Sequence, residues 1–276
     1  MGLAPPTEPL AKSVAVYFYR PGRSLFHVAF VIDHRPGSLL RLLTAIPVPG
    51  VNLLHLTISI SNGGGGEIAA GHLYAEAAPD VDLEALTAAL RTVPGVRAAR
   101  LQAGSEGLLV DDAYPLSFTA GGPTALLQRR AAFSRMIQEI RDTMRSGGLV
   151  LLYEQGLLYG QSTAREDVRA IGSEFARRNL PTLLTGFGAM GWGQMQVASA
   201  ESRADRLTIR VQDSLECVGQ TSAGPLGHYL RGLFAGYASG IWDAPVECTE
   251  RACVAMGALQ CEFLLARSAP GPSPGR

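Results

Sequence analysis

The spacing of hydrophobic and polar residues divides this chain into two parts, and the first extends from about residue 24 to residue 103. Its apolar run LFHVAFVI and the alternating VNLLHLTISI predict strands, because successive side chains of a strand point to opposite faces. The segments SLLRLLTAI and DLEALTAALRTV have leucines at helical spacing, and Ser38 is predicted to be the N-cap of the first helix. The predicted order is strand, helix, strand, strand, helix, strand.

The second part, from about residue 124, has longer helical patterns. ALLQRRAAFSRMIQEIRDTMRS predicts a long amphipathic helix, AREDVRAIGSEFARRNL a second one, and GPLGHYLRGLFAGYASGIW an apolar helix with small residues on one side. The segment GGLVLLYEQGLLYGQ fits a strand or a helix. The segments GFGAMGWGQMQVASA and DRLTIRVQDSLECVG alternate and predict a hairpin, and the cysteine-rich VECTERACVAMGALQCEF predicts two short strands around Gly257.

These patterns predict an organisation into two domains. The turn-rich stretch between the two parts indicates a linker, and the Pro- and Gly-rich C-terminus indicates a disordered tail. We therefore expect an N-terminal segment, a first domain, a linker, a second domain and a tail, with the boundaries 1–23, 24–103, 104–123, 124–267 and 268–276.

Charge and composition exclude several classes of partner. The 276 residues include 24 Lys and Arg and 24 Asp and Glu, and this balance argues against direct binding to nucleic acid or to an anionic membrane. No apolar run has the length of a membrane-spanning helix, and prolines interrupt the place where a signal peptide would have its apolar core. We expect a cytoplasmic protein, in which the cysteines stay reduced.

Motifs for common catalytic mechanisms are missing from the sequence. It contains no G-x-S-x-G, no phosphate-binding loop and no H-E-x-x-H, and the glycines of GFGAMGWG lie in a predicted hairpin. His27, His55 and His72 lie on predicted strands, where we expect them to be half-exposed. We therefore expect a binding protein more than an enzyme.

The first domain resembles the ACT-domain family, through DHRPGSL after the first strand and GVNL before the second. The resemblance implies a ferredoxin-like βαββαβ fold that pairs with a second copy. It also implies a small ligand, often an amino acid, near Asp33, Pro36, Gly37 and Asn52. The alternative is that these residues only form turns and that the domain serves for pairing.

The second domain resembles the 4-vinyl-reductase-type (hydrocarbon-binding) domain, through HYLRGLFAGYASG followed by ECTERACVAMGALQCEF. Its relatives include the sensory domains of aromatic-responsive bacterial activators and, more distantly, the Bet3-like subunits of tethering complexes. The resemblance implies an α/β ligand-binding domain after the ACT-like one, and thus an α+β protein overall.

In the aromatic-sensing branch of that family, a Cys, a Glu and two further Cys bind zinc. Glu250, Cys253 and Cys261 match three of these positions, but the first falls on Gly227. Either Cys248 or His228 could complete a structural zinc site, because thiolates, carboxylates and imidazoles all bind this metal. The alternative is that the cysteines pack as small hydrophobic residues.

The resemblance also implies an apolar pocket in the second domain. Its aromatic candidates are Phe187, Trp192, Tyr229, Phe234, Tyr237 and Trp242, and the alternative for them is ordinary core packing. We expect a homodimeric sensor or carrier that binds a small apolar or aromatic molecule and signals through an unidentified partner protein. The alternatives are an accessory protein or carrier in tetrapyrrole (bacteriochlorophyll-type) metabolism and a ligand-free dimeric scaffold.

Overall fold

The computed structural model describes residues 14, 17–46, 50–63, 66–111, 113–114, 116–117, 124–201 and 206–268. Most of the predicted N-terminal segment, part of the predicted linker, the tip of the NGGGG turn and the predicted tail beyond residue 268 lie outside this range. The chain divides into two compact units, Met1–Leu127 and Gln128–Arg276. Within the described residues, no helix is long and apolar enough to cross a membrane.

The first unit contains a four-stranded antiparallel sheet in the order β3-β4-β2-β5, with two helices, and a separate two-stranded ribbon of β1 and β6. The predicted βαββαβ order is confirmed for β2 to β5, whereas the sequence pattern did not indicate the ribbon. The elements are β1 (Tyr17–Tyr19), β2 (Ser24–Asp33), α1 (Ser38–Thr44), β3 (Val51–Gly63), β4 (Gly66–Ala77), α2 (Leu83–Thr92), β5 (Val96–Ala103) and β6 (Leu108–Val110).

Both faces of this sheet are covered. On one face, alternate residues of β2 and β4 pack against Leu42 of α1 and Leu86 of α2. On the opposite face, Leu109 of the ribbon packs against Leu25 and Tyr74. This second contact explains why His27, on the same strand face as Leu25, is only 1% exposed, contrary to our expectation for a half-exposed sheet residue.

The two short helices of the first unit begin differently. Helix α1 starts at Ser38 itself, with Gly37 as N-cap at a φ of 80°, and the Ser38 hydroxyl accepts a hydrogen bond from Arg41. The prediction that Ser38 caps this helix is therefore wrong. Helix α2 has a side-chain cap, because Asp82 accepts hydrogen bonds from the backbone N–H groups of Glu84 and Ala85 at 2.9 and 3.0 Å.

The second unit combines helices with an antiparallel sheet in the order β7-β8-β10-β9. The α+β class predicted from the sequence is confirmed. The elements are α3 (Arg130–Ile171), α4 (Ser173–Arg178), α5 (Leu180–Ala189), β7 (Gln194–Glu201), β8 (Arg206–Gln212), α6 (His228–Trp242), β9 (Val246–Ala252) and β10 (Cys261–Arg267), with a short 3-10 helix at Val254–Met256.

Three local assignments differ from the sequence expectation. AREDVRAIGSEFARRNL, expected to form one separate helix, is divided at Gly172 between the end of α3 and α4. GGLVLLYEQGLLYGQ is helical and continues α3, with an interruption at Arg145, whose φ is 49° and ψ is −126°. GFGA forms the end of α5, so the β7–β8 hairpin begins only at Gln194. Phe187 is therefore a helix residue and not part of the hairpin as expected.

Helices α3 and α6 cross in direct backbone contact. A Cβ atom at Gly156 or Gly160 of α3 would overlap backbone carbonyl oxygens of α6, and one at Gly232 or Gly236 of α6 would overlap those of α3. The small-residue side predicted for α6 is thus the surface that packs on α3. This close packing determines where the N-terminal end of α6 lies.

Candidate functional site

The cysteine-rich hairpin contributes to a cluster of four possible metal ligands in the second unit. The cluster consists of Cys217, Glu250, Cys253 and Cys261, and one ligand atom from each lies within 4.8 Å of the others. Glu250 lies on β9, Cys261 begins β10, and the turn between these strands contributes Cys253. Cys217 comes from the segment between β8 and α6, and the sequence analysis did not include it among the ligands.

The spacing of the sulfur atoms suits metal coordination. The Sγ atoms of Cys217 and Cys253 are 3.6 Å apart, and two thiolates on a tetrahedral zinc ion, each about 2.3 Å from it, would lie about 3.8 Å apart. All three cysteines are buried. The Oε1 atom of Glu250 is also buried, and within the described part of the chain it meets no donor other than thiols of the cluster. The donor set and this oxygen fit a bound cation.

Gly227 explains the departure from the family pattern. Its backbone N–H donates to Oε2 of Glu250 at 2.8 Å, and a Cβ atom at this position would lie 2.8 Å from the same oxygen and from the Phe263 ring. A larger side chain here would have to displace the Glu250 carboxylate and the Phe263 ring from these positions. Cys217 occupies the fourth place in the cluster, and neither Cys248 nor His228 belongs to it.

The electrostatics of the cluster favour protons or a cation. Burial raises the pKa of Glu250 and of Cys253. The thiol of Cys217 donates a hydrogen bond to Cys261, which lowers the pKa of Cys261 and raises that of Cys217. Four acidic groups this close cannot all ionise without a positive partner, so the cluster could hold a metal ion in place of its protons.

Glu216 connects this cluster to helix α6. Its fully buried carboxylate accepts hydrogen bonds from the backbone N–H groups of Tyr229 and Leu230 at 2.9 and 2.8 Å, and so caps the first turn of the helix. Burial raises the pKa of Glu216 to about 8, although these two bonds act in the opposite direction. Because Glu216 precedes Cys217, the helix start and the cluster share one short segment.

A group of four aromatic side chains lies at the same end of α6. Trp192 and Tyr229 stack with ring centroids 5.1 Å apart, and Phe133 packs edge-on against both at 5.6 and 5.8 Å. Tyr159 is 5.9 Å from Trp192 and is 37% exposed. Phe133 and Tyr159 of α3 were not among the predicted pocket residues. They reach Trp192 and Tyr229 because α3 packs against α6, and the sequence pattern does not show this packing.

The other predicted pocket residues lie in the core. Phe187 packs edge-on against Tyr237 at 5.1 Å, and Phe234 against Phe263 at 5.3 Å. The hydroxyl of Tyr237 donates to Asp167 at 2.6 Å. Trp242 is 7% exposed at the end of α6. The structure therefore brings together Trp192 and Tyr229 of the predicted set and packs the rest elsewhere in the hydrophobic core.

The turn after β2 borders a cavity in the first unit. Its volume is ≈ 520 Å³, and Asp33, Pro36 and Gly37 line it together with apolar side chains of β2, α1 and β3. Asp33 is already paired with Arg97 at 2.7 Å. Asn52 lies at the other end of the sheet, opposite Glu76 in the register, whereas Asp33 is opposite Ile68. The structure does not bring Asn52 to this turn.

Comparison with known proteins gives a family match for part of the second unit. The family model of the 4-vinyl-reductase domain matches residues 207–267, a range that contains helix α6 and all four members of the cysteine and glutamate cluster. The search of curated proteins found no match.

Three solved structures are similar to parts of the chain. The phenol-responsive sensory domain of the transcription activator PoxR has 19% sequence identity over 53% of this chain and 78% of its own, with a TM-score of 0.45. A vinyl-4-reductase family protein from Methanocaldococcus jannaschii has 15% identity over 53% of this chain and 100% of its own, with a TM-score of 0.32. The ACT domain of GTP pyrophosphokinase from Chlorobium tepidum has 20% identity over 29% of this chain and 99% of its own, with a TM-score of 0.24. The family match, with the helix and the cysteine hairpin in place, shows that this chain contains a 4-vinyl-reductase domain.

Proposed function

We propose that the protein is a sensor that binds a small aromatic molecule in its 4-vinyl-reductase domain. The observation that supports this best is the group of Phe133, Tyr159, Trp192 and Tyr229. Ring-to-ring contacts of 5.1 to 5.9 Å connect its members, while Trp192 is only half-buried and Tyr159 remains exposed. A planar apolar ligand would gain stacking contacts there that water cannot supply.

The segment between β8 and α6 would transmit the binding event. The N–H of Leu215 donates to the carbonyl of Trp192 at 3.2 Å, and the hydroxyl of Ser134 donates to the carbonyl of Leu215 at 2.8 Å. The same segment contains Glu216, which caps α6, and Cys217. A shift of Trp192 on ligand binding would therefore move residues that contact both the helix and the cluster.

The cluster would hold a zinc ion in a structural role. Three thiolates and one carboxylate supply four ligands and leave no position open for a substrate. The ion would join the β9–β10 hairpin to the segment before α6, which lies far from it along the chain. This would hold the segment beside Trp192 in place and give the sensor a rigid support.

The output of the sensor would pass to a partner protein, because the sequence contains no DNA-binding or nucleotide-hydrolysing motif of its own. Phenol is a suitable probe for the ligand site, since it is small, planar and aromatic. The chain has two tryptophans, Trp192 and Trp242. In Trp242→Phe, Trp192 is the only indole, so a ligand at the aromatic group should change its fluorescence in a saturable manner.

Two further variants test the location of this site by calorimetry with phenol. Phe133→Ala should weaken binding about fivefold, since an aromatic contact contributes on the order of 1 kcal/mol beyond its buried area. Phe175→Ala is the matched control, because Phe175 is 50% exposed on α4 and outside the group. Equal affinity in the two variants, or no saturable change in Trp242→Phe, would contradict the proposal.

A further inference from the structure

A second cluster of metal-ligating side chains lies in the first unit, on the face of the sheet opposite the helices. It consists of His27 on β2, His72 on β4 and Asp111 just after β6, and one ligand atom from each lies within 4.8 Å of the others. His27 is buried, whereas His72 and Asp111 are half-buried. We propose that these three residues bind a divalent first-row transition-metal ion.

The distance between the two imidazoles supports this proposal. Nε2 of His27 and Nδ1 of His72 are 3.1 Å apart. Two nitrogens that are each about 2.0–2.1 Å from a tetrahedral ion would lie about 3.3 Å apart. The separation of the two nitrogens therefore matches the separation that a shared metal ion requires.

Other contacts hold the ligands in position. Oδ2 of Asp111 accepts a hydrogen bond from the Tyr74 hydroxyl at 2.7 Å, and Oδ1 accepts bonds from the N–H groups of Ala113 and Tyr114. The Tyr74 ring also stacks on His27, with centroids 4.5 Å apart and planes 10° apart. Such outer contacts orient the ligands of metal sites, so Tyr74 is a positioning residue here.

The chemistry of the donor set is also suitable. Burial lowers the pKa of both His27 and His72, so their surroundings disfavour the charged ring. Two imidazoles and one carboxylate are the donor set that suits iron(II), cobalt(II), nickel(II) or zinc(II), and they leave positions for water or another small ligand.

Zinc stoichiometry of the full-length chain tests the proposal. The protein is stripped with chelator, dialysed against zinc and analysed for metal in a Cys261→Ser background, which disables the cysteine cluster. We expect about one equivalent in this background, a loss of that equivalent in Cys261→Ser/His72→Gln, and its retention in Cys261→Ser/His34→Gln. His34 is the matched control, because it lies in an exposed turn of the same unit. Unchanged zinc in the His72→Gln variant would overturn the proposal.

A second measurement separates loss of the site from loss of the fold. Tyr74→Phe removes only the hydroxyl that orients Asp111, and loss of an outer contact weakens a metal site by about 10- to 100-fold. Competition with a chelating dye should show at least a tenfold weaker affinity in the Cys261→Ser background, with an unchanged circular dichroism spectrum. Equal zinc affinity with and without the hydroxyl would contradict the positioning role and the proposed site.

Discussion

At the scale of single residues, Gly227 and Cys217 decide the composition of the candidate metal centre. Gly227 leaves room for the Glu250 carboxylate and the Phe263 ring, and its backbone N–H donates a hydrogen bond to the carboxylate. Cys217, ten positions earlier in the chain, supplies the thiol that the family pattern would place at Gly227. The cluster thus contains three thiols and one carboxyl group although position 227 is a glycine.

Replacing Gly227 by alanine should therefore disturb the cluster. The added Cβ would lie 2.8 Å from Oε2 of Glu250, and such overpacking costs about 1–3 kcal/mol. Thermal denaturation should show the loss, together with at least a tenfold lower zinc affinity. Gly224→Ala is the control, because a Cβ atom there has no neighbour within 4 Å. Similar melting temperatures for both variants would argue against this account of Gly227.

Removing single thiols should distinguish ligands from core cysteines. If the cluster binds zinc as we propose, Cys217→Ser and Cys253→Ser should lose that zinc and several kcal/mol of stability, because metal binds the folded state alone. Cys248→Ser is the matched control, since Cys248 is buried on β9 but lies outside the cluster. Elemental analysis of each variant should use a His72→Gln background, which removes the metal site proposed in the first unit. The zinc content then reports the cysteine cluster alone. Equal zinc content in Cys217→Ser and Cys248→Ser would exclude Cys217 as a ligand.

At the scale of secondary-structure elements, the contact between α3 and α6 determines the position of the aromatic group. The glycines of both helices bring the two backbones together, so Phe133 and Tyr159 of α3 reach Trp192 and Tyr229. Small residues at such a crossing permit a short interhelical distance, which larger side chains would prevent. The same contact also places the start of α6 beside Glu216.

An alanine in this contact should separate the helices. In Gly236→Ala, the new Cβ would overlap the backbone carbonyl of Leu157, and we expect a loss of about 3 kcal/mol because this carbonyl cannot rotate away as a side chain could. The control is Gly186→Ala in α5, where the space around the Cβ is open and the better helix propensity of alanine should stabilise by up to about 1 kcal/mol. Urea denaturation should show a lower free energy of unfolding for Gly236→Ala and a higher one for Gly186→Ala than for the wild type. Stabilisation by Gly236→Ala would contradict the close contact.

At the scale of the whole molecule, the first unit has an edge strand that is long and partly apolar. Strand β3 lies at one end of the sheet order, and Leu53, Ile58 and Ile60 on it are 46%, 37% and 50% exposed. Exposed edges of this kind favour pairing with another chain. This supports the prediction of a homodimer, formed by two copies of this unit.

Sedimentation at micromolar concentration should therefore report a dimer. Ile60→Arg should shift the protein toward the monomer, because a charged side chain on the edge strand opposes pairing. Leu259→Arg is the control, since Leu259 is fully exposed in the second unit. A wild-type monomer, or equal dissociation constants for the two variants, would contradict pairing through β3.

The cavity beside the turn of Asp33 should not bind common amino acids. The Asp33 carboxylate, which would meet an amino group, is occupied by Arg97 at 2.7 Å, and the remaining lining is largely apolar. Calorimetry with the common amino acids should give no binding heat, and Asp33→Ala should leave the subunit number unchanged. A saturable heat that Asp33→Ala abolishes would instead establish an amino-acid site.

The sequence by itself determined the local structure of this protein and the class of its domains. Helical and alternating spacing predicted the βαββαβ unit and the apolar helix α6, because each pattern depends on residues that are neighbours in the chain. The motif around α6 and the cysteine hairpin led to the 4-vinyl-reductase domain. It also indicated Glu250, Cys253 and Cys261, which lie within twelve residues of one another.

Only the tertiary structure decided which distant residues meet. Cys217 joins the cluster because β8 pairs with β10, and Phe133 reaches Trp192 because α3 crosses α6 at glycines. His27 is buried because the ribbon of β1 and β6 covers one face of the sheet. From the sequence pattern of β2 alone, this face was expected to be half-exposed. Such contacts depend on the packing of elements that are far apart in sequence, and no local periodicity encodes that packing.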